Sequence, residues 1–150
     1  MPKITPFLWF DTQAEEAMNF YVSIFKNTKA GRIMRAAGRV MSVSFELEGQ
    51  SFIALNGGPT YQFTPAISLF VDCETQEEVD DLWRKLCAGG NPGRCGWLTD
   101  KFGLSWQIIP KGLGEMLSDP DPARSQRVMQ AMLKMDKIDI GGLKRAYADE

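Results

Sequence analysis

The chain has 150 residues, 44% hydrophobic and 24% charged, the mixture expected of one ordinary globular domain. Nine Phe, four Trp and three Tyr exclude disorder as the main state, because they supply ample core material. Seventeen Lys and Arg against 19 Asp and Glu give a net charge of −2, which counts against phosphate-driven nucleic-acid binding.

Residues 4–10 are β-branched and aromatic with an early Pro, the pattern of a strand. Thr12 to Glu15 has the T-x-x-E form of a capping box. Ala14, Ala17, Met18, Tyr21, Ile24 and Phe25 then recur at helical spacing, which predicts an amphipathic helix over 13–25. Residues 28–38 carry a faint strand signal. From 41 to 48 the alternation is clean: Met41, Val43, Phe45 and Leu47 on one face, Ser42, Ser44, Glu46 and Glu48 on the other. Gly49 marks a turn and residues 51–56 a returning strand.

After Asn56-Gly-Gly-Pro59 the pattern restarts. Residues 66–71 read as a strand and Thr75 to Glu78 as a second T-x-x-E box. Val79, Leu82, Trp83, Leu86 and Cys87 form the next helical stripe, stopped by Gly89-Gly90. A Gly-rich stretch over 89–96 leads to Trp97-Leu98, and residues 104–109 close as a strand. Shifting the chain by 62 residues lays Phe7 on Leu69, Trp9 on Val71, Ala17 on Val79 and Ile24 on Leu86. A shift of 54 lays Phe52-Ile53 on Trp106-Gln107. The chain therefore reads as an internal repeat of two β-α-β-β-β units. The expected plan is one α+β domain over 1–150, with unit one at about 1–60, unit two at about 64–111 and a helical tail at about 112–150. In the tail Asp121 caps a helix with Pro122 at its first position. A stripe of Val128, Met129, Met132, Leu133 and Met135 follows, a packing surface more often than a groove. Asp139 caps a last short helix.

Paired units of this length resemble the vicinal oxygen chelate superfamily, which includes glyoxalase I, bleomycin-binding proteins and extradiol dioxygenases. Ala14 to Tyr21 (AEEAMNFY), Ala54 to Gly58 (ALNGG), Cys95 to Leu98 (CGWL) and Asp100 to Gln107 (DKFGLSWQ) are similar to the PhnB-like branch, and the likeness extends over nearly the whole chain, tail included. Some members of that branch carry the label 3-demethylubiquinone-9 3-methyltransferase. No Gly-rich strand-to-helix turn is present to hold S-adenosylmethionine. The resemblance implies two sheets curled into a cup with the helices outside, commonly in a homodimer. It also implies a divalent metal held from four strand positions, here Pro6, Ile53, Ser68 and Gln107. Pro and Ile have no donor side chain, Ser is poor at neutral pH and Gln is a weak neutral ligand, so no metal and no other cofactor is expected.

Pleat alternation from those positions gives the lining of the cup. It comprises Leu8, Phe10, Ile53, Leu55, Ser68, Phe70, Ser105 and Gln107, with Pro6 and Ile109 alongside. The opposite faces, Phe7, Trp9, Phe52, Ile67, Leu69, Val71, Trp106 and Ile108, are expected under the helices. An apolar cup with a few polar groups suits a small molecule, unless its own side chains fill it. The chain has no His, which removes Ser-His-Asp and Cys-His catalysis and His metal sites. Two other groups are candidates for chemistry. Cys95 lies beside Arg94 and near Lys101, and neighbouring cations favour thiolate. Glu46, if it faces an apolar cup, is placed as a general base. Asp100-Lys101 reads as turn and surface, and Trp97 as pocket rim or dimer seam. Three Cys without a C-x-x-C pair, no apolar run of the ~20 residues a membrane span needs, and no signal-peptide pattern point to a reduced, cytoplasmic protein. The expected function is metal-free binding of a small organic molecule by a homodimer, with no nucleic-acid or membrane partner. The alternative is a metal-independent enzyme using acid-base or thiol chemistry.

Overall fold

A computed structural model describes residues 3–150 and divides into two compact units, one up to Phe63 and one from Thr64 onward. Unit one contains β1 (Phe7–Phe10), α1 (Ala14–Ile24), β2 (Thr28–Ala36), β3 (Arg39–Leu47) and β4 (Gln50–Asn56), in the sheet order β1-β4-β3-β2. β1 runs parallel to β4, because α1 carries the chain back across the sheet. The other neighbours are antiparallel. Unit two repeats the plan with β5 (Ser68–Cys73), α2 (Gln76–Cys87), β6 (Asn91–Pro92), β7 (Trp97–Thr99) and β8 (Ser105–Pro110), in the order β5-β8-β7-β6. Three helices follow: α3 (Leu113–Leu117), α4 (Pro122–Leu133) and α5 (Ile140–Ala148). The fold is therefore α+β with two mixed four-stranded sheets.

The core of unit one lies between α1 and one face of its sheet. Ala14, Ala17, Met18, Tyr21 and Ile24 of α1 are buried, and Tyr21 meets Phe45, which stacks on Phe52 with centroids 5.4 Å apart. Leu8, Phe10, Val43 and Ala54 complete that face. Each large side chain so buried stabilises the unit by roughly 1.5–3 kcal/mol. This corrects the expected phase of β1. Phe7 is paired with Ile53 and Leu8 with Ala54, so Leu8 and Phe10 point to α1 while Phe7 and Trp9 point away from it.

The repeat explains the slip. In unit two Ser68 and Phe70 take the helix-free face and Leu69 and Val71 the helix side, as Phe7 with Trp9 and Leu8 with Phe10 do in unit one, so these strands correspond face for face at an odd shift rather than at 62. One residue of misalignment inverts every assignment on a strand.

The two expected caps also differ. The Thr75 hydroxyl accepts from Glu78 N–H, and Glu78 Oε2 accepts from Glu74 N–H. Thr12 caps nothing. The first residue before α1 is Gln13, without a side-chain cap, and Asn56 Oδ1 accepts the Ala14 N–H at 2.8 Å instead. Asp121 and Asp139 cap α4 and α5 as their sequence positions predict.

The tail packs on unit two. Ile109, Leu113, Val128, Ile138 and Leu143 form one buried cluster. Gln76, at the start of α2, donates to Ile138 O at 2.9 Å and accepts from Ile140 N–H at 2.7 Å. Gly96 (φ 82) sits where a Cβ would lie 2.9 Å from Ile109 and 3.1 Å from Ile138, so both its conformation and its neighbours demand glycine.

Candidate functional site

Each sheet has one face on its helix and one face turned away. On unit one the helix-free face carries Phe7 and Trp9 from β1, Ile53 and Leu55 from β4, and Ser42, Ser44 and Glu46 from β3, as the pairings show. The Trp9 ring is fixed on three sides. Its Nε1 donates to Gly58 O at 3.0 Å, Tyr61 meets it edge-on at 5.0 Å, and it lies so close to Gly57 that a Cβ there would be 2.4 Å from the ring. Phe7 is 57% exposed.

On unit two the helix-free face holds Ser68 and Phe70 from β5, Ser105 and Gln107 from β8, and Trp97 and Thr99 from β7. Gln107 Nε2 donates to Ser68 Oγ at 3.0 Å. Phe70 is 61% exposed, whereas Ser105 is buried. Ile109 is in line with this row but is covered by the tail. The structure thus brings Ser68, Phe70, Ser105 and Gln107 together on one unit, and Ile53 and Leu55 together on the other. Leu8 and Phe10 join neither group.

The donor set that the superfamily would use does not fit a divalent metal. In unit one Pro6 and Ile53 have no donor side chain, and Phe7, which takes the helix-free face of β1, has none either. In unit two the Ser68 hydroxyl and the Gln107 amide are bonded to each other. No cluster of three or more His, Cys, Asp or Glu suited to a metal occurs among the described residues.

Glu46 is exposed, without the apolar cover that a buried base requires. Cys95 is half-buried with φ 58. Its N–H donates to Met135 O and that of Gly96 to Asp136 O, so this loop serves as a docking point for the tail. The cations expected to act on its thiol are engaged elsewhere: Arg94 lies 3.9 Å from Asp136, and Lys101 lies over the Phe102 ring. Cys73 is fully buried, and its thiol is pushed up to about 12 by burial first, then by Glu78 and Asp72. Burial also raises Cys87.

Asp100 corrects another expectation. It lies in a turn but is only 2% exposed. Its Oδ1 accepts from the Phe102 and Leu104 N–H groups and its Oδ2 from Trp106 Nε1 at 2.9 Å, which fixes the entry to β8. Outside the sheet faces, an open groove of about 510 Å³ runs between α3 and α5, lined by Lys111, Glu115, Asp119, Lys144 and Tyr147 among others.

Residues 2–109 match the family described as 3-demethylubiquinone-9 3-methyltransferase. The chain belongs to this family. A PhnB protein from Bacillus cereus is 39% identical, with a TM-score of 0.69 over 73% of this chain and 99% of that one. Two more distant structures share the fold. Protein PA1353 from Pseudomonas aeruginosa is 18% identical (TM-score 0.61, covering 73% of this chain and 98% of that one). A glyoxylase/bleomycin resistance protein/dioxygenase domain from Frankia sp. EAN1pec is 14% identical (TM-score 0.51, covering 73% and 92%). No curated protein matches.

The family match, residues 2–109, contains all four motifs but ends before α3 to α5, so it does not extend to the tail as expected. Among the described residues of this PhnB-like chain there is no doubly wound nucleotide site with a glycine-rich strand-to-helix turn. The strand-to-helix connections, residues 11–13 and 74–75, contain no glycine, and both sheets are mixed and four-stranded rather than doubly wound.

Proposed function

We propose that this PhnB-like protein binds a small organic molecule on its helix-free sheet faces, without a metal and as a homodimer. The observation that carries the reading is the chemistry of those faces. Phe70 is more than half exposed beside the bonded Ser68 hydroxyl and Gln107 amide, and Phe7 is more than half exposed on unit one, the composition of a binding surface rather than of a sealed core. Metal independence is supported by the missing donors at positions 6, 7 and 53. Dimerisation is supported by the exposed apolar side chains Ile67 and Met41, which a second copy would cover. A cytoplasmic setting is supported by three free thiols. No helix of the described residues is long and apolar enough to cross a membrane.

Native mass spectrometry of protein purified without chelator tests the reading. A dimer free of stoichiometric metal that takes up an organic adduct supports it. A stoichiometric metal, or no adduct from any small-molecule library, overturns it. Binding that survives Cys95→Ser and Glu46→Gln separates a binder from an enzyme that uses those groups.

A further inference from the structure

The helix-free face of unit one is chemically graded from edge to edge. One row of paired residues runs Phe7, Ile53, Ser44 and then the Gly31-Arg32 step of β2. The next runs Trp9, Leu55, Ser42 and Met34. A third places Ser51, Glu46 and Lys29 side by side. In the first two rows aromatic and aliphatic groups thus occupy β1 and β4 and hydroxyls occupy β3, while β2 contributes Arg32 to one row and Met34 to the other; the third row pairs Glu46 with Lys29.

The position of Arg32 depends on a bulge. The register shifts between Ala30 and Ile33, so Gly31 and Arg32 together face Ser44, and Arg32 N–H donates to Ser44 Oγ at 3.0 Å. A Cβ on Gly31 would lie 2.5 Å from Ser44 O, so only glycine permits the step. Without the extra residue, strict alternation from Lys29 would turn Arg32 to the helix side.

Lys29 has the Glu46 carboxylate beside it on β3, whereas Arg32 faces the Ser44 hydroxyl. Residues 28–41 contain Lys29, Arg32, Arg35 and Arg39 and no carboxylate. None of the four makes an ion pair among the described residues, whereas in unit two Arg84, Lys85, Lys111 and Lys137 all do.

We propose that unit one binds an elongated organic anion, with an apolar or aromatic body over Phe7, Trp9, Ile53 and Leu55 and an acidic end against Arg32, away from the Glu46 carboxylate beside Lys29. This rests on the small-molecule reading above and adds the ligand's charge and orientation. The distance from β1 to β2 is three strand spacings, about 14 Å, which sets the length of such a ligand. The serine row lies under its middle.

Anilinonaphthalene sulfonate and its sulfonate-free parent, phenylnaphthylamine, serve as matched probes on the full-length protein. The sulfonate is expected to bind at least about 10-fold more tightly at low salt and to lose that margin as salt rises. Arg32→Gln should weaken the sulfonate by roughly 3- to 5-fold and leave the parent unchanged. Phe7→Ala should weaken both. Both positions are exposed, and equal melting temperatures confirm that the variants are folded. If Phe7→Ala weakens both probes but the sulfonate has no margin, or Arg32→Gln does not reduce it, the anion inference fails and the small-molecule reading stands. If neither probe binds, the anion inference fails, and the small-molecule reading is decided by the native mass spectrometry above. If the loss instead follows Lys144→Gln, the dye occupies the groove between α3 and α5 and the inference is overturned.

Discussion

Replacing Asp100 with Ala tests whether the buried carboxylate organises β8. The substitution removes the acceptor of three hydrogen bonds at once, and two of the orphaned donors, Leu104 N–H and Trp106 Nε1–H, belong to residues 1% and 2% exposed. A buried donor without a partner costs about 1–3 kcal/mol. Phe102 N–H is only half-buried and can turn to water, so the two inner donors set the scale, about 3–5 kcal/mol in all. That is a large part of the roughly 5–15 kcal/mol that holds a domain together. Asp100→Asn should cost less, about 1–3 kcal/mol. Its Oδ1 keeps both backbone donors, while its Nδ2 presents a second donor to the indole. Urea unfolding followed by circular dichroism gives both values. A loss below about 1 kcal/mol for Ala, or Asn as damaging as Ala, would refute the assignment of the carboxylate as the organiser of this turn.

Other substitutions separate the two units. Thr75→Ala should destabilise by about 1 kcal/mol, Thr12→Ala should be nearly silent, and Asn56→Ala should cost more than Thr12→Ala; thermal unfolding of the three variants checks the order. Gly57→Ala should push the Trp9 indole off its seat, seen as a shift in tryptophan emission and weaker binding of both naphthyl probes. Cys73 makes stability depend on alkaline pH. Its thiol titrates near 9.0 when unfolded and about 12 when folded, so the native state holds its proton longer. The resulting stabilisation, at most about 4 kcal/mol, is complete below pH 9 and disappears as pH rises towards 12. Cys73→Ala should lose less stability than the parent chain between pH 8 and 11 in parallel urea titrations.

The fold was legible because strand alternation, helical stripes and turn glycines agreed in both halves of the chain. β3 is the clearest case, since its alternation of Val43, Phe45 and Leu47 against Ser42, Ser44 and Glu46 is reproduced by burial. The helix-free face of unit two was legible for the same reason. That of unit one was read out of phase on β1, because Phe7, Leu8, Trp9 and Phe10 are all large and apolar. Nothing in their composition distinguishes the side that packs on α1. Only the pairing of Leu8 with Ala54 decides it. The burial of Asp100 was hidden because its partners are two backbone amides and an indole that only the folded turn brings together. The place of Arg32 escaped notice because a bulge breaks the period on which alternation depends, although Gly31 inside a strand was a visible hint.

The tail's grip on Gln76 also sets the order in which the chain can fold. The contacts that define unit one are complete by Phe63, while the side chain of Gln76 must wait 62 residues for its partner at Ile138. At roughly 5–20 residues per second, synthesis of that stretch takes about 3–12 s. Ile109 is made 29 residues before Ile138, so for about the last 1.5–6 s of that interval it lacks this partner, and the nascent second unit is the half that a chaperone would most need to shield.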